Sequence, residues 1–143
     1  MIRVLIVDDE APIRLLCRVN LEVEGMEVLE AGDGRAGLEI ARRERPDVVL
    51  LDVMMPILDG WQVAETLLEQ PETAGIPIIF LTARAEVRDH ARGLEIGGIE
   101  YVTKPFNPVA LAPLVRDMVA RAARGEQDNL RRERLASLRR GSF

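Results

Sequence analysis

Asp8, Asp9, Asp52, Thr82 and Lys104 each stand at or just past the end of an apolar run: "VLIV", "DVVLL", "IIFL" and "IEYVT". If those runs are strands of one parallel sheet, all five side chains meet at its carboxyl edge, where such sheets bind ligands. A single aspartate at a strand end reads as a helix cap or a turn residue. Three carboxylates, a hydroxyl and an ammonium on one edge read as chemistry. Packed carboxylates repel, and one stays protonated unless a cation joins them. An all-oxygen site with few protein ligands suits Mg²⁺. A carboxylate beside Mg²⁺, with a hydroxyl and an ammonium near it, is an arrangement for phosphoryl transfer. The metal and Lys104 would neutralise the equatorial oxygens while Asp52 attacks as nucleophile.

Lys104 in "YVTKPF" is the one lysine among nineteen basic residues; the rest are arginine. A compact ammonium on a flexible stem follows an arriving phosphoryl group, whereas a planar arginine fork favours a carboxylate clamp. Pro105 fixes the chain after the strand, and the Lys104–Pro105 bond is a candidate for a cis peptide.

The elements that must position these residues follow from hydrophobic periodicity. Strands are expected over 2–7, 26–31, 47–52, 76–82 and 99–103. Helices alternate with them. The first carries Ile13, Leu16, Cys17 and Leu21 on one face and ends before Gly25; others are expected at about 35–44, 60–70, 86–96 and 108–123. Alternation implies right-handed crossovers and a parallel sheet covered on both faces. Strands 1, 3 and 4 are nearly continuous apolar runs, as central strands are. Strands 2 and 5 alternate with Glu27, Glu30 and Glu100, as edge strands do. The expected fold class is α/β: a doubly wound, flavodoxin-like three-layer sandwich with strand order 2-1-3-4-5 and its switch point between strands 1 and 3. Pro113 falls six residues after the expected N-cap Asn107, where a proline kinks or shortens a helix.

At 143 residues and 48% hydrophobic, the chain suffices for one domain with a core and a short appendage. No apolar run reaches the ~18 residues of a membrane span, and the N-terminus lacks a signal-peptide layout. One cysteine and one histidine leave no thiolate or imidazole metal cluster. Cys17 reads as a small buried hydrophobe, which fits a reducing cytoplasm. The chain is −5 overall; residues 125–143 carry +2, leaving −7 on residues 1–124. An acidic body argues against nucleic acid as the direct ligand.

Four pieces carry a resemblance: "VLIVDDE" (4–10), "DVVLLDVMMPILDGW" (47–61), "IIFLTAR" (78–84) and "YVTKPF" (101–106). In this order and spacing they resemble the receiver domain of two-component response regulators, over residues 1 to about 124. The resemblance implies a domain that accepts a phosphoryl group from a histidine kinase or phosphotransfer protein and signals by a change of conformation. It is a phosphoacceptor that catalyses its own phosphorylation and dephosphorylation, not a turnover enzyme. By position, Asp52 resembles the acceptor. Asp9, Asp52 and the backbone carbonyl of Met54 resemble direct Mg²⁺ ligands, with Asp8 acting through water. Thr82 and Lys104 resemble the groups that bind the phosphoryl oxygens. Thr82 and Tyr101 resemble the switch pair. Met54 and Arg84 occupy places that influence hydrolysis of the phosphoryl group. Pro56 and Asp59–Gly60 match the loop into the third helix. Gly98 departs from a small alanine. The implied output surface, toward a target protein or a second copy, is the face made by segments 86–96, 99–103 and 108–123.

"GDGRAG" (32–37) satisfies the G-x-G-x-x-G of a dinucleotide site, but it follows an edge strand, not the first central one. An aspartyl-phosphate hydrolase of the haloacid dehalogenase-like class is an alternative; it puts its nucleophile on the first strand, with a second Asp two residues on. A receiver-like module that is never phosphorylated is another, and its usual sign, a missing acid or lysine, is not seen here. His90 is given no role. Residues 125–143 are too few for a second domain. They are expected to be disordered or partly helical alone, and helical on a partner or second copy through Leu130, Leu135 and Leu138. A stand-alone regulator is expected, the alternative being the receiver part of a longer regulator with an output domain.

Overall fold

The computed structural model describes residues 1–83, 100–104 and 106–124, apart from the side chains of Ala83 and Tyr101. Its five parallel strands are β1 (Arg3–Val7), β2 (Glu27–Ala31), β3 (Val48–Asp52), β4 (Ile78–Ala83) and β5 (Glu100–Lys104), in the order β2-β1-β3-β4-β5. The described α-helices are α1 (Ala11–Glu22), α2 (Gly34–Glu44), α3 (Gly60–Glu69) and α4 (Leu111–Ala123).

Side chains alternate across a strand, so β1 feeds two cores. Val4 and Ile6 point to one face, joined by Val48, Leu50, Ile79 and Leu81. There Cys17 and Leu21 of α1 pack with Leu111, Val115 and Met118 of α4. Leu5 and Val7 point to the other face, with Val49, Leu51, Ile78 and Phe80. Leu38 and Ala41 of α2 and Trp61, Val63 and Leu67 of α3 cover that side. This is the expected flavodoxin-like three-layer sandwich. β3 is buried along its whole length, as a strand covered on both faces must be.

Two expectations change. Pro113 does not kink a helix. Asn107 caps a short 3₁₀ turn (Pro108–Ala110) by accepting from the Val109 N–H, and α4 starts only at Leu111. Pro113 is therefore the third residue of α4, where no intrahelical N–H bond exists to lose. β4 starts at Ile78 rather than 76, because the Ile76 N–H closes a turn on the Thr73 carbonyl. β5 remains an edge strand in the order, yet its Glu100 is buried.

The motif at 32–37 serves packing. A Cβ on Gly34 would lie 2.8 Å from the Leu58 carbonyl oxygen, and one on Gly37 2.8 Å from Val7 Cγ2. These glycines seat α2 on β1 and α3, and the strand before them is the edge strand β2. Cys17 is fully buried, and burial, with the Asp8 charge, pushes its thiol up to about 12, so it is an inert core residue.

Candidate functional site

Asp8 directly follows β1, Asp52 ends β3, Thr82 is the penultimate residue of β4 and Lys104 ends β5. The register puts Asp52 opposite Leu81, and Thr82 opposite Thr103. Asp8 is 0% exposed, and Asp52 and Thr82 are each 3% exposed. Asp9, one residue further, is exposed. Lys104 reaches over β4 to both central strands: its Nζ donates to Asp8 Oδ2 at 3.1 Å and to Asp52 Oδ1 at 3.3 Å. The Asp8 side chain also accepts from the Glu10 N–H at 2.9 Å, and Asp52 Oδ1 from the Met54 N–H at 3.3 Å.

Burial pushes the Asp52 carboxyl up to about 7. The Asp8 charge and a contact with Asp9 push the same way, while Lys104 opposes them. For Lys104 burial works downward, but its hydrogen bonds and charge contacts with Asp8 and Asp52 outweigh that and hold it above its ordinary value. One ammonium thus does not neutralise the pocket. Ligand oxygens of Asp8, Asp9 and Glu10 lie within 4.8 Å of one another. The donors are all hard oxygens beside a carboxylate whose ionisation lacks counter-charge, so the set fits Mg²⁺.

The β3–α3 loop holds the carboxyl end of β3 in place. The Asp59 side chain accepts from the Gln62 N–H, and the Gln62 side chain accepts from the Asp59 N–H, forming a capping box. The Gly60 N–H donates to the Val53 carbonyl at 2.9 Å. A Cβ on Gly60 would lie 2.4 Å from the Asp52 carbonyl oxygen, so only glycine lets α3 begin this close. In the same loop Ile57 holds φ 71°, a strained conformation for a β-branched residue. Ile57, Pro56 and Leu58 line a cavity of about 380 Å³ with Asp33, Gly34 and Arg35; it includes none of the five site residues. Trp61 packs on Phe80 of β4, with ring centroids 4.8 Å apart.

Asp8, Asp52 and Lys104 are therefore in direct contact, with Asp9 beside Asp52 and Thr82 buried at the adjoining strand end. The backbone of Tyr101, in β5, pairs with Phe80 of β4. Its side chain, Arg84, His90, Gly98, Pro105, the helix expected at 86–96 and the segment 125–143 lie outside the described residues. Two residues enter that sequence reasoning passed over. Glu10 joins the acidic cluster, and Arg14 of α1 donates to the Asp8 carbonyl at 2.7 Å. Arg14 and Arg18, four apart on one helix, both pair with Glu30 of β2, contacts that only the structure shows.

A profile of the "Response regulator receiver domain" matches residues 4–116, and the chain belongs to that family. It is 46% identical over 120 residues to "Probable transcriptional regulator ycf27" of Porphyra purpurea, covering 84% of this chain and 48% of that protein. It is 40% identical over 125 residues to "Phosphate regulon transcriptional regulatory protein PhoB" of Pseudomonas aeruginosa, covering 87% of this chain and 55% of that one. The chain spans about half the length of the curated relatives it matches. Among solved structures, chemotaxis protein CheY4 of Vibrio cholerae superposes with a TM-score of 0.78 at 33% identity, covering 82% of this chain and 98% of that one. Among the described residues no helix is long and apolar enough to cross a membrane.

Proposed function

We propose that Asp52 is a phosphoacceptor, charged by a histidine kinase or a phosphotransfer protein, and that the phosphorylated domain signals to a partner. The carrying observation is the contact of Lys104 with both Asp52 and Asp8 at the carboxyl ends of three strands. Asp52 presents a carboxylate from the end of a fully buried strand, so its position is fixed before the donor arrives. Its oxygen attacks phosphorus in line; an Asp52 O–P bond forms while the bond to the donor nitrogen breaks, and the imidazole leaves with the electron pair. Lys104 can shift from Asp52 Oδ1 to a phosphoryl oxygen and balance the incoming charge. The Thr82 hydroxyl is the second candidate group for that phosphoryl, and Thr82 with Tyr101 is the proposed switch pair. Asp8, Asp9, Asp52 and the Met54 carbonyl would hold Mg²⁺, which when bound supplies the charge that lets Asp52 stay ionised.

A donor needs a surface beside the acceptor. Leu15 and Val19 of α1 and its C-cap Val23 are exposed and four residues apart, so they form one apolar stripe, and Leu16 flanks it. That stripe supports docking of a helical phosphodonor. The relatives are transcriptional regulators and favour a second point: output through control of transcription, with this receiver acting in a longer regulator rather than as the stand-alone protein its own sequence suggested.

Incubation with Mg²⁺ and acetyl phosphate should give an acid-stable, base-labile adduct on wild type and none on Asp52→Asn. Wild-type labelling of the Asn variant would sink the assignment.

A further inference from the structure

The β1–α1 junction carries a device that acts on the acidic cluster without belonging to it. Asp8 lies one residue past the end of β1, and its carbonyl has a side-chain partner. Arg14 Nη1 donates to that oxygen at 2.7 Å. The same guanidinium donates through Nε to Glu30 Oε1 at 3.1 Å. Glu30 Oε2 accepts in turn from Arg18 Nη1 at 2.6 Å. Glu30 belongs to β2, so the guanidinium ties the loop after β1 to the neighbouring strand. The Asp8 N–H donates to the Ala31 carbonyl of that strand at 3.1 Å. Both backbone groups of Asp8 are thus held toward β2, while its side chain is held by Lys104 and the Glu10 N–H.

This fixes more than Asp8. A peptide unit is planar, so the direction of the Asp8 carbonyl sets the plane that carries the Asp9 N–H and Cα. Asp9 is exposed and its carboxylate meets that of Asp52, and the orientation of that plane helps to set where the Asp9 side chain leaves the backbone. Arg14 is well suited to the task. It is only 20% exposed on its side chain, and its fork serves two acceptors at once, which a lysine ammonium does with less definite geometry.

We infer that Arg14 is a positioning residue: by clamping the Asp8 carbonyl and anchoring on Glu30, it orients the Asp8–Asp9 peptide and preorganises the carboxylate pair for a divalent cation. The inference rests on the Mg²⁺-assisted phosphoacceptor reading above. It differs from a plain charge effect in sign. Removing a positive charge beside a cation site should tighten cation binding electrostatically. Losing a support behind the ligands should weaken it, typically by tenfold or more.

The test is Mg²⁺ affinity, read from the rise of melting temperature with Mg²⁺ alone, without phosphodonor. Arg14→Met should raise the Mg²⁺ Kd about tenfold, and Arg14→Lys should restore part of the loss. Arg18→Met removes the same charge and also touches Glu30 but not Asp8; it should stay within about twofold of wild type. Glu30→Gln frees the far end of the clamp while leaving Arg14 in place, so it should weaken Mg²⁺ in the same direction even where Arg14→Met fails to fold. Unchanged or tighter binding in folded Arg14→Met, or equal weakening in Arg14→Met and Arg18→Met, overturns the inference alone. A wild-type melting curve indifferent to Mg²⁺ overturns the phosphoacceptor reading and this inference together.

Discussion

Lys104 Nζ lies 3.3 Å from Asp52 Oδ1, across 52 positions of chain and over an intervening strand. The same ammonium is 3.1 Å from Asp8 Oδ2, so one flexible cation spans two buried acids. Lys104→Arg should fold, because the charge is kept, but its planar fork should settle on the two carboxylates and not follow a phosphoryl group. Phosphorylation by acetyl phosphate should then produce little of the wild-type change in amide exchange or Trp61 fluorescence. Equal changes in the two proteins would make the lysine incidental.

Metal-free stability should depend on pH through Asp52. Its folded value, about 7, lies above the ordinary 3.8, so the folded state holds a proton that the unfolded chain releases. In chelator the stability from this group is full below about pH 4, falls as pH rises, and levels off above about pH 7. At ~1.4 kcal/mol per pKa unit the loss is a few kcal/mol at most. Asp52→Asn should flatten the curve and be the more stable protein at pH 8 in chelator, and Mg²⁺ should restore the wild type. Denaturant melts at pH 4 to 8, with and without chelator, check this; parallel curves for the two proteins would contradict it.

Gly60→Ala should cost about 1–3 kcal/mol, since its methyl would sit 2.4 Å from the Asp52 carbonyl oxygen and the loop must move. Because the displaced backbone is that of Asp52, the proposed acceptor, labelling by acetyl phosphate should slow as well. Chemical denaturation and labelling rate are the two readouts, and a silent substitution would mean the loop yields freely.

Pro113→Ala should change stability by less than about 1 kcal/mol, since position three of a helix has no N–H bond to regain. A gain of ~3 kcal/mol would be the signature of a proline inside a helix and would contradict the start of α4 at Leu111.

Deletion of residues 125–143 should leave folding and phosphorylation as in the whole chain, since the family match ends at residue 116 and α4 at Ala123. Melting temperature and label incorporation measure this. Unfolding on truncation would place the domain boundary beyond 124.

Strand number, strand order and the edge on which Asp8, Asp9, Asp52, Thr82 and Lys104 collect are properties of the sequence. Burial on one or two faces leaves a readable pattern, and the ends of parallel strands fall on one side whatever the packing details. "GDGRAG" was separable from a dinucleotide site for the same reason, because edge strand β2 precedes it. Local helix geometry was less legible. Asn107 carries a start signal and Pro113 reads as a break six residues later, and the structure resolves the two with a 3₁₀ turn at Pro108 and the α-helix after it. Least legible were contacts between elements distant in sequence. That Arg14 reaches the Asp8 carbonyl, that Glu100 is buried on an edge strand, and that Gly60 lies against the Asp52 backbone depend on distances between packed elements. Periodicity records which face a residue occupies, but the tertiary structure decides which atom it meets there, because that choice depends on side-chain length, backbone direction and the neighbour on the next element.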